Sequence, residues 1–253
     1  MKKTQSLERA FSILDLFVSE QVSELSMTEI ASLAQLNKST AFGLMATLRE
    51  LGVLKQNPDN QKYSLGYKLL TYSNFINIQD EMMRIIHPQL VDLSRKYKET
   101  THLGTLMGNQ FIYIDKVAAL DSISINTAVG VHGLLHCTAM GKCLLAFCPE
   151  LALEDAFSKP LKKMTANTIT TREELEKEIE AIRQEGVSYD REETTDGLFC
   201  VSVPIFSGDN RANYAISAAG ITEHIKRSFS EGLIEDMKDL SKSASKQIYS
   251  YEI

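Results

Sequence analysis

Three side chains that can contact nucleic-acid phosphates or bases follow one another directly at Lys38, Ser39 and Thr40. Asn37 before them is a residue type that accepts hydrogen bonds from the first amides of a helix, so a helix is predicted to begin here. The ammonium and hydroxyl groups at that end would meet phosphate oxygens, helped by the positive end of the helix dipole. This pattern is typical of a recognition helix, whose N-terminal residues contact base edges.

The elements around this helix have a recognisable order. Apolar residues at helical spacing predict a first helix over 6–20. A capping box from Ser26 to Glu29 opens a second helix over 27–34. The third helix is predicted over 38–51, and Gly52 is suited to end it.

Two short strands follow, over 53–55 and 62–65, around the turn-rich residues 57–60. Helix, helix, turn, helix and hairpin predict a winged helix-turn-helix in residues 1–65, with lysines on the wing for backbone contact. The predicted DNA-binding residues are Lys38, Ser39, Thr40, Phe42, Lys55 and Lys62.

Residues 66–78 are predicted to form a linker helix, and residues 79–253 an α+β domain around a mostly antiparallel sheet flanked by helices. Six strands are predicted, over residues 101–107, 111–118, 122–129, 187–193, 198–206 and 213–221. Four helices are predicted. The first covers 79–97 and is broken or kinked at Pro88, and the second covers 137–147. The third begins at a second capping box at Thr171 and ends at Gly186, and the fourth runs from Ser230 onward.

The segment from His136 to Lys142 opens one of these helices at Thr138. Free amides at that start favour an anionic group, and the small Ala139 and Gly141 allow a ligand close to the backbone. Apolar walls are expected from Leu134, Leu135, Met140 and Phe199.

Histidines 132 and 136 and cysteines 137 and 143 raise the question of a metal site. Their spacing matches no standard zinc pattern, so we expect hydrogen-bonding histidines, with no metal and no cofactor.

Composition excludes several classes of protein. The chain has 253 residues and a net charge of −6, with +1 over residues 1–68 and −7 over residues 69–253, so the first part can still present a basic face. No signal peptide or transmembrane segment is recognisable, and four cysteines do not make a disulfide framework. We therefore expect a cytoplasmic protein with no membrane partner.

Seven segments of the sequence resemble IclR-type bacterial transcription regulators. In the first half these are SLERAFSIL, LSMTEIASLAQLNKSTAFGLMATLRELGVL and QKYSLGYKLL; in the second half, KETTHL, LLHCTAMGKCLLAFCP, EGVSYDREETTDGLFCVSVPIF and AISAAG. The resemblance covers nearly the whole chain, and the matching segments follow one another in the same order as in the family. It implies a GAF-like effector-binding domain in residues 79–253, a DNA operator and a small-molecule effector as partners, and two dimers that associate.

The resemblance also implies an effector pocket. Ala139 and Met140 match backbone-contacting positions, while Asp190, Cys200 and Ser217 match side-chain positions. With Thr138, these are the predicted effector-binding residues. Asp190 could instead be a solvated strand end, Cys200 a small core residue, and Ser217 an outward-facing residue.

The sequence departs from the family pattern at two positions. Gly43 stands where the family often carries Arg, and Ala219 where it often carries a second serine. The operator sequence and the polar pattern of the ligand are therefore open. Phe11, Leu69, Leu70, Phe75 and Ile76 exceed what one winged helix can bury, which predicts a second copy against them.

We thus predict a ligand-responsive repressor that binds a pseudo-palindromic operator and responds to a small carboxylate, either a sugar acid or a 2-keto acid. An activator that responds to an aromatic acid is the alternative. An enzyme, with Cys200 or Cys137 as nucleophile and His136 as base, and a module that docks protein are weaker alternatives from other classes.

Overall fold

The computed structural model describes residues 4–20, 22–79, 81–108, 110–119, 127–148, 153–157, 160–207 and 211–251. The chain divides into two compact units, Met1–Asp80 and Glu81–Ile253. The finer limits of 65 and 78 that the sequence suggests for the domains stay predictions.

The N-terminal unit is a helix-turn-helix with a two-stranded wing. Its elements are α1 (Gln5–Ser19), α2 (Met27–Leu33), α3 (Lys38–Glu50), β1 (Leu54–Gln56), β2 (Tyr63–Leu65) and α4 (Lys68–Gln79). The strands pair antiparallel, with Leu54 opposite Leu65. The core is formed by apolar residues from every element before α4, including Ile13, Ile30 and Met45.

In the N-terminal unit, the predicted starts of α2 and α3 and the predicted end of α3 are confirmed. The Glu29 amide donates to Ser26 Oγ at 3.3 Å and the Ser26 amide donates to Glu29 Oε2 at 2.7 Å, which makes the capping box reciprocal. Asn37 caps α3, and Gly52 takes the left-handed conformation after it with φ of +77°.

The C-terminal unit is an α+β domain with a six-stranded antiparallel sheet in the order β5-β4-β3-β8-β7-β6. Its helices are α5 (Glu81–Tyr97), α6 (Ala139–Phe147), α7 (Leu153–Ala156), α8 (Arg172–Glu185), α9 (Thr222–Ser230) and α10 (Leu233–Tyr251). Its strands are β3 (Thr100–Met107), β4 (Gln110–Val117), β5 (His132–Gly133), β6 (Ser188–Arg191), β7 (Leu198–Ile205) and β8 (Tyr214–Ile221).

The sheet is covered on both faces. Residues of α5, α9 and α10 pack on one face against side chains such as Leu103, Val201 and Ile216. Residues of α6 and α8 pack on the other face against Phe111, Tyr113 and neighbouring side chains. Side chains alternate between the faces along each strand, so the register decides which residues meet under α6.

Several predicted elements differ from the structure. Helix α5 runs through Pro88 without a break, because its buried apolar face, with Ile86 and Leu90, outweighs the hydrogen bond that proline cannot donate. The predicted strand over 122–129 is wrong for 127–129, which are not in a strand, while 122–126 lie outside the described residues. The short helices α7 and α9 were not predicted.

Turn predictions fall partly outside the described residues. Gly108-Asn109, between two predicted strands, predicts a tight turn; Gly108 has a φ of +62°, as such a turn requires, and Asn109 is not described. The sequence Gly208-Asp209-Asn210 also predicts a turn, and Pro149 predicts the end of a helix; both positions lie outside the described residues.

Candidate DNA-binding and effector sites

The start of α3 presents an exposed polar surface. The Asn37 carboxamide oxygen accepts from the Thr40 amide at 2.8 Å and from the Ser39 hydroxyl at 2.9 Å. Lys38 is exposed and forms no ion pair with any residue the structure describes, whereas Thr40 is half-buried. Lys38 is therefore the free charged donor at this helix end, and Ser39 would have to release Asn37 to donate to a phosphate.

Further along α3, Phe42 and Gly43 complete this exposed surface. Lys38, Ser39, Phe42 and Gly43 follow helical spacing, so they lie on one side of the helix, which we call the recognition face. Ala41, Met45 and Leu48 point instead into the core.

The two wing lysines differ in their surroundings. Lys55 is exposed, with Nζ 4.7 Å from the centre of the Tyr67 ring. Lys62 is half-buried beside Glu24. Hydrogen bonds from the asparagines of the 57–60 turn, followed by the charge of Lys62, hold the pKa of Glu24 below its usual value. Lys55 is therefore better placed than Lys62 to meet a phosphate.

In the C-terminal unit, the strand register brings four predicted or polar residues onto one face of the sheet. His102 of β3 lies opposite Ser217 of β8, and Cys200 of β7 lies opposite Asp190 of β6. Cys200 pairs with Ala219, two residues after Ser217 on β8. Residues two apart on a strand point to the same side of the sheet, so Ser217 and Cys200 share this face. We call these four residues the buried polar face; α6 packs over it.

Thr138 is the N-cap of α6 and uses its hydroxyl fully. Oγ1 accepts from the Gly141 amide at 2.9 Å and donates to the Leu134 carbonyl at 2.7 Å. The amides of Ala139 and Met140 have no hydrogen-bond partner among the described residues and remain as first-turn donors. At this end of α6 the backbone amides, rather than the threonine side chain, are therefore the donors left for a ligand.

Asp190 is buried, with only 1% of its surface exposed, so the alternative of a solvated strand end is wrong. Oδ1 accepts from the Glu193 amide at 2.7 Å, and Oδ2 accepts from the Thr194 hydroxyl at 2.6 Å. Burial raises the pKa of Asp190, and these hydrogen bonds oppose that rise. Its remaining lone pairs are the ones a ligand could use.

His102 is a member of the buried polar face that sequence reasoning did not place. Its Nε2 lies 2.8 Å from Thr127 Oγ1, its Nδ1 lies 3.4 Å from Ser217 Oγ, and its ring is 5.1 Å from that of Tyr113. Burial, with a smaller effect of the Lys116 charge, lowers the pKa of His102 to about 3. The imidazole is therefore neutral, with one donor and one acceptor nitrogen.

Ser217 is buried against this histidine, so the alternative of an outward-facing serine is also wrong. Phe199, predicted as an apolar wall of the pocket, instead lies on the opposite face of the sheet with Tyr189 and Phe229. The single-residue alternation of a strand explains this, because Cys200 next to it points toward α6.

The cysteines do not have the properties of nucleophiles. Burial raises the pKa of Cys137 to about 12 and that of Cys200 well above its usual value. His136 is paired with the Lys162 carbonyl, 2.9 Å from Nε2. Within the described residues, no cluster of His, Cys, Asp and Glu could hold a metal ion.

A cluster of buried charged residues lies next to Asp190 of the buried polar face. Lys142 of α6 is fully buried, and its Nζ contacts the Glu193 carboxylate and lies 3.1 Å from Glu178 Oε1. Arg191 Nη1 lies 2.7 Å from the same Glu178 oxygen. Because Glu193 also donates its amide to Asp190, the cluster ties α6 and α8 to the turn that holds Asp190.

Two buried oxygens, Glu193 Oε2 of this cluster and Ser188 Oγ of β6, have no hydrogen-bond partner among the described residues. Sequence reasoning missed Lys142 and Glu193 as members of the site. The run of buried apolar residues around Lys142 was the available signal, since a lysine there needs an ionic partner.

A winged helix-turn-helix followed by an antiparallel domain with a polar, helix-covered face defines a DNA-binding transcription regulator with a ligand-binding domain. Comparison with known proteins agrees. The family model described as "IclR helix-turn-helix domain" matches residues 6–58, and "Bacterial transcriptional regulator IclR C-terminal" matches residues 78–246. The chain belongs to the IclR family of bacterial transcriptional regulators, which confirms the prediction of a regulator rather than an enzyme.

Individual relatives match this chain over most of their own length. The chain is 36% identical to the HTH-type transcriptional regulator XynR of Escherichia coli over 222 residues, which is 87% of this chain and 88% of that protein. A crystal structure of the Thermotoga maritima IclR is 34% identical, with a TM-score of 0.72 over 96% of this chain and 98% of that one.

A crystal structure of an IclR homolog complexed with 4-hydroxybenzoate, from Microbacterium hydrocarbonoxydans, has a TM-score of 0.81 over 97% of this chain and 100% of that one. At 21% identity, that likeness concerns the fold alone. In the part of the chain that the structure describes, no helix has both the length and the apolarity to cross a membrane.

Proposed function

We propose that this regulator is a repressor that binds a pseudo-palindromic operator as a dimer through the recognition face of α3, under the control of a small carboxylate. The observation that carries the DNA-binding part is the exposed, unpaired Lys38 at the capped start of α3. Repression is the simpler outcome, because a protein that covers a promoter excludes polymerase without a further contact surface.

The test uses the protein's own upstream DNA in an anisotropy titration at several salt concentrations. Lys38→Glu is expected to weaken binding by about tenfold or more, because each subunit of the dimer then loses one phosphate contact in its half-site. Thr40→Ala should weaken it as well. Lys177→Glu, an exposed charge reversal on α8, is the control matched in net charge.

Unchanged affinity in both α3 variants would remove α3 from the DNA interface. The salt dependence separates DNA binding from protein docking: a log–log slope of several units is expected for DNA. Because the operator lies on bacterial DNA, the proposed place of action is the cytoplasm, which suits the free state of all four cysteines.

The proposed dimer surface lies in the N-terminal unit. Phe11 of α1 and Leu70, Phe75 and Ile76 of α4 are exposed apolar side chains, and Leu69 is half-buried. A second copy is the simplest cover for such a surface, and association of two dimers is what the family resemblance implies. Light scattering at micromolar concentration should give a dimer or tetramer; a monomer that binds the full operator tightly would contradict this.

The proposed effector sits between the start of α6 and the buried polar face. The amides of Ala139 and Met140 suit a carboxylate at the positive end of the helix dipole. Ser217, the remaining lone pairs of Asp190 and the neutral His102 suit hydroxyl or keto groups. A sugar acid or a 2-keto acid combines these groups.

A thermal-shift comparison of gluconate, 2-ketobutyrate and 4-hydroxybenzoate tests this choice. A ligand at 100 times its dissociation constant should stabilise the protein by about 2.7 kcal/mol. Asp190→Ala should remove most of the gain for gluconate. Thr194→Val replaces the hydroxyl that donates to Asp190 with a methyl group and leaves the Asp190 carboxylate present. It is the matched control and should keep most of that gain. Stabilisation by neutral or cationic compounds only would contradict a carboxylate at the helix start.

An activator that responds to an aromatic acid is the second candidate. It is favoured by Ala219, which lacks a hydroxyl, by the Tyr113 ring beside His102, and by the 4-hydroxybenzoate complex of a protein with this fold. In vitro transcription from the upstream promoter decides: a repressor lowers transcript yield and its effector restores it, whereas an activator raises the yield.

A further inference from the structure

Phe42 is an apolar side chain of α3 that the core leaves in water. Ala41, Met45 and Leu48 of the same helix are buried in the core of the N-terminal unit, whereas 60% of the Phe42 surface is exposed. The ring is therefore available to bury apolar surface against a bound partner. The fifth residue of a recognition helix is also within the part that meets the bases.

The surroundings of Phe42 suit DNA rather than an apolar protein surface. Lys38 lies one turn before it on the recognition face, and no acidic residue occurs between Lys38 and Arg49. Gly43 follows directly, and a Cβ atom there would have no heavy atom within 4 Å. The ring is therefore bordered by a cation on one side and by bare helix backbone on the other, which lets a groove edge approach closely.

We propose that Phe42 is a specificity-determining residue that contacts the 5-methyl group of one thymine in each operator half-site. A phenyl ring offers no hydrogen-bond donor or acceptor, so it cannot read the polar pattern of a base edge. The thymine methyl is the apolar feature of the major groove, and phenylalanine is a side chain that contacts it. The missing side chain of Gly43 leaves room for that methyl beside the ring. This inference rests on the proposed docking of α3.

The decisive experiment changes the DNA and leaves the protein intact. Each thymine of the bound upstream site is replaced in turn by deoxyuridine, which removes only the 5-methyl group. At one thymine per half-site, this replacement is expected to weaken binding of the unaltered protein about fourfold for one half-site and about fifteenfold when both half-sites carry it, from the burial of one methyl group each. The other thymines should tolerate the change.

The variant Phe42→Ala then assigns the effect to the ring. It is expected to bind the thymine and uracil sites equally, more weakly than the unaltered protein, with the same salt slope because no phosphate contact is lost. Leu51→Ala removes a similarly exposed apolar side chain at the other end of α3 and should keep the preference for thymine. Circular dichroism confirms that both variants are folded.

Two results would overturn the inference: no thymine whose methyl group matters to the unaltered protein, or an undiminished preference for thymine in Phe42→Ala. Either can occur while Lys38→Glu still abolishes binding, in which case α3 docks on DNA but Phe42 does not read it. If Lys38→Glu has no effect, the proposed docking itself is wrong.

Discussion

The two candidate sites of this protein are built in opposite ways. The recognition face comes from neighbouring residues on the exposed side of one helix, and the hydrogen bonds at the start of that helix join residues two or three positions apart. The buried polar face comes from four strands and the start of a helix. Its contacts join residues far apart in sequence, such as His102 with Ser217, 115 positions apart, and Lys142 with Glu193, 51 positions apart.

Substitutions at the recognition face are therefore expected to change binding with little effect on stability, whereas substitutions at the buried polar face are expected to change both. Exposed side chains on a helix can change with little effect on folding, because water replaces their contacts. Buried charged groups have no such replacement, so a change in the ligand site also changes the free energy of unfolding. Substitutions ordered by expected effect test this contrast.

The largest effect is expected at Lys142. Lys142→Ala leaves Glu193 and Glu178 without their buried cation, and loss of one partner of such a group costs about 3–5 kcal/mol of unfolding free energy. Lys177→Ala, in an exposed pair with Glu173, should leave stability nearly unchanged. Urea denaturation measures both; equal effects of the two substitutions would contradict the role assigned to burial.

A smaller, pH-dependent effect is expected at Glu99, which is 3% exposed and accepts from Ser228 Oγ at 3.2 Å. Burial raises the pKa of Glu99 to about 7 from the usual 4.5. The unfolded chain releases this proton first, so stability falls as pH rises from 4.5 to 7. Glu99→Gln should remove about 3 kcal/mol of that fall, since one pKa unit corresponds to about 1.4 kcal/mol.

Thermal unfolding of both proteins between pH 4 and 8 measures the Glu99 effect. The two curves should converge below pH 4.5 and separate toward pH 7, with the variant more stable. The low pKa of His102 acts with the opposite sign, because its contribution is lost as pH falls below 6.5. It is present in both proteins and cancels in the difference, so parallel curves would disprove the Glu99 assignment.

The helix caps allow a matched comparison of the two sites. Asn37→Ala and Thr138→Ala each remove a side-chain acceptor at a helix start, worth about 1 kcal/mol. Both losses should be similar in urea denaturation, since capping is local. Asn37→Ala should also weaken operator binding, whereas a larger stability loss in Thr138→Ala would show that its bond to the Leu134 carbonyl adds to the cap.

The smallest effect, and a stabilising one, is expected at Gly43. It lies inside α3, is exposed, and has open space where a Cβ atom would stand. Gly43→Ala should therefore raise the unfolding free energy by up to about 1 kcal/mol through helix propensity. Operator affinity should fall, because the methyl group stands between the helix and the groove. A loss of stability would mean that α3 needs glycine for another reason.

The sequence alone determined the features that depend on near neighbours. Ser26, Asn37, Thr138 and Thr171 were placed as helix caps because their bonds reach only three residues along the chain. The winged helix-turn-helix, the antiparallel sheet and most strand limits follow from local periodicity in the same way. The family resemblance added the expectation that the second domain is GAF-like and binds an effector.

The tertiary structure alone decided how strands far apart in the sequence align. Nothing near His102 shows that it faces Ser217, and nothing near Phe199 shows that it turns away from the ligand side. A register shift of one residue would reverse both. The same holds for Lys142, whose partners come from α8 and from the turn after β6. The sequence indicates that a buried lysine needs an ionic partner, but only the folded chain shows that these partners are Glu193 and Glu178.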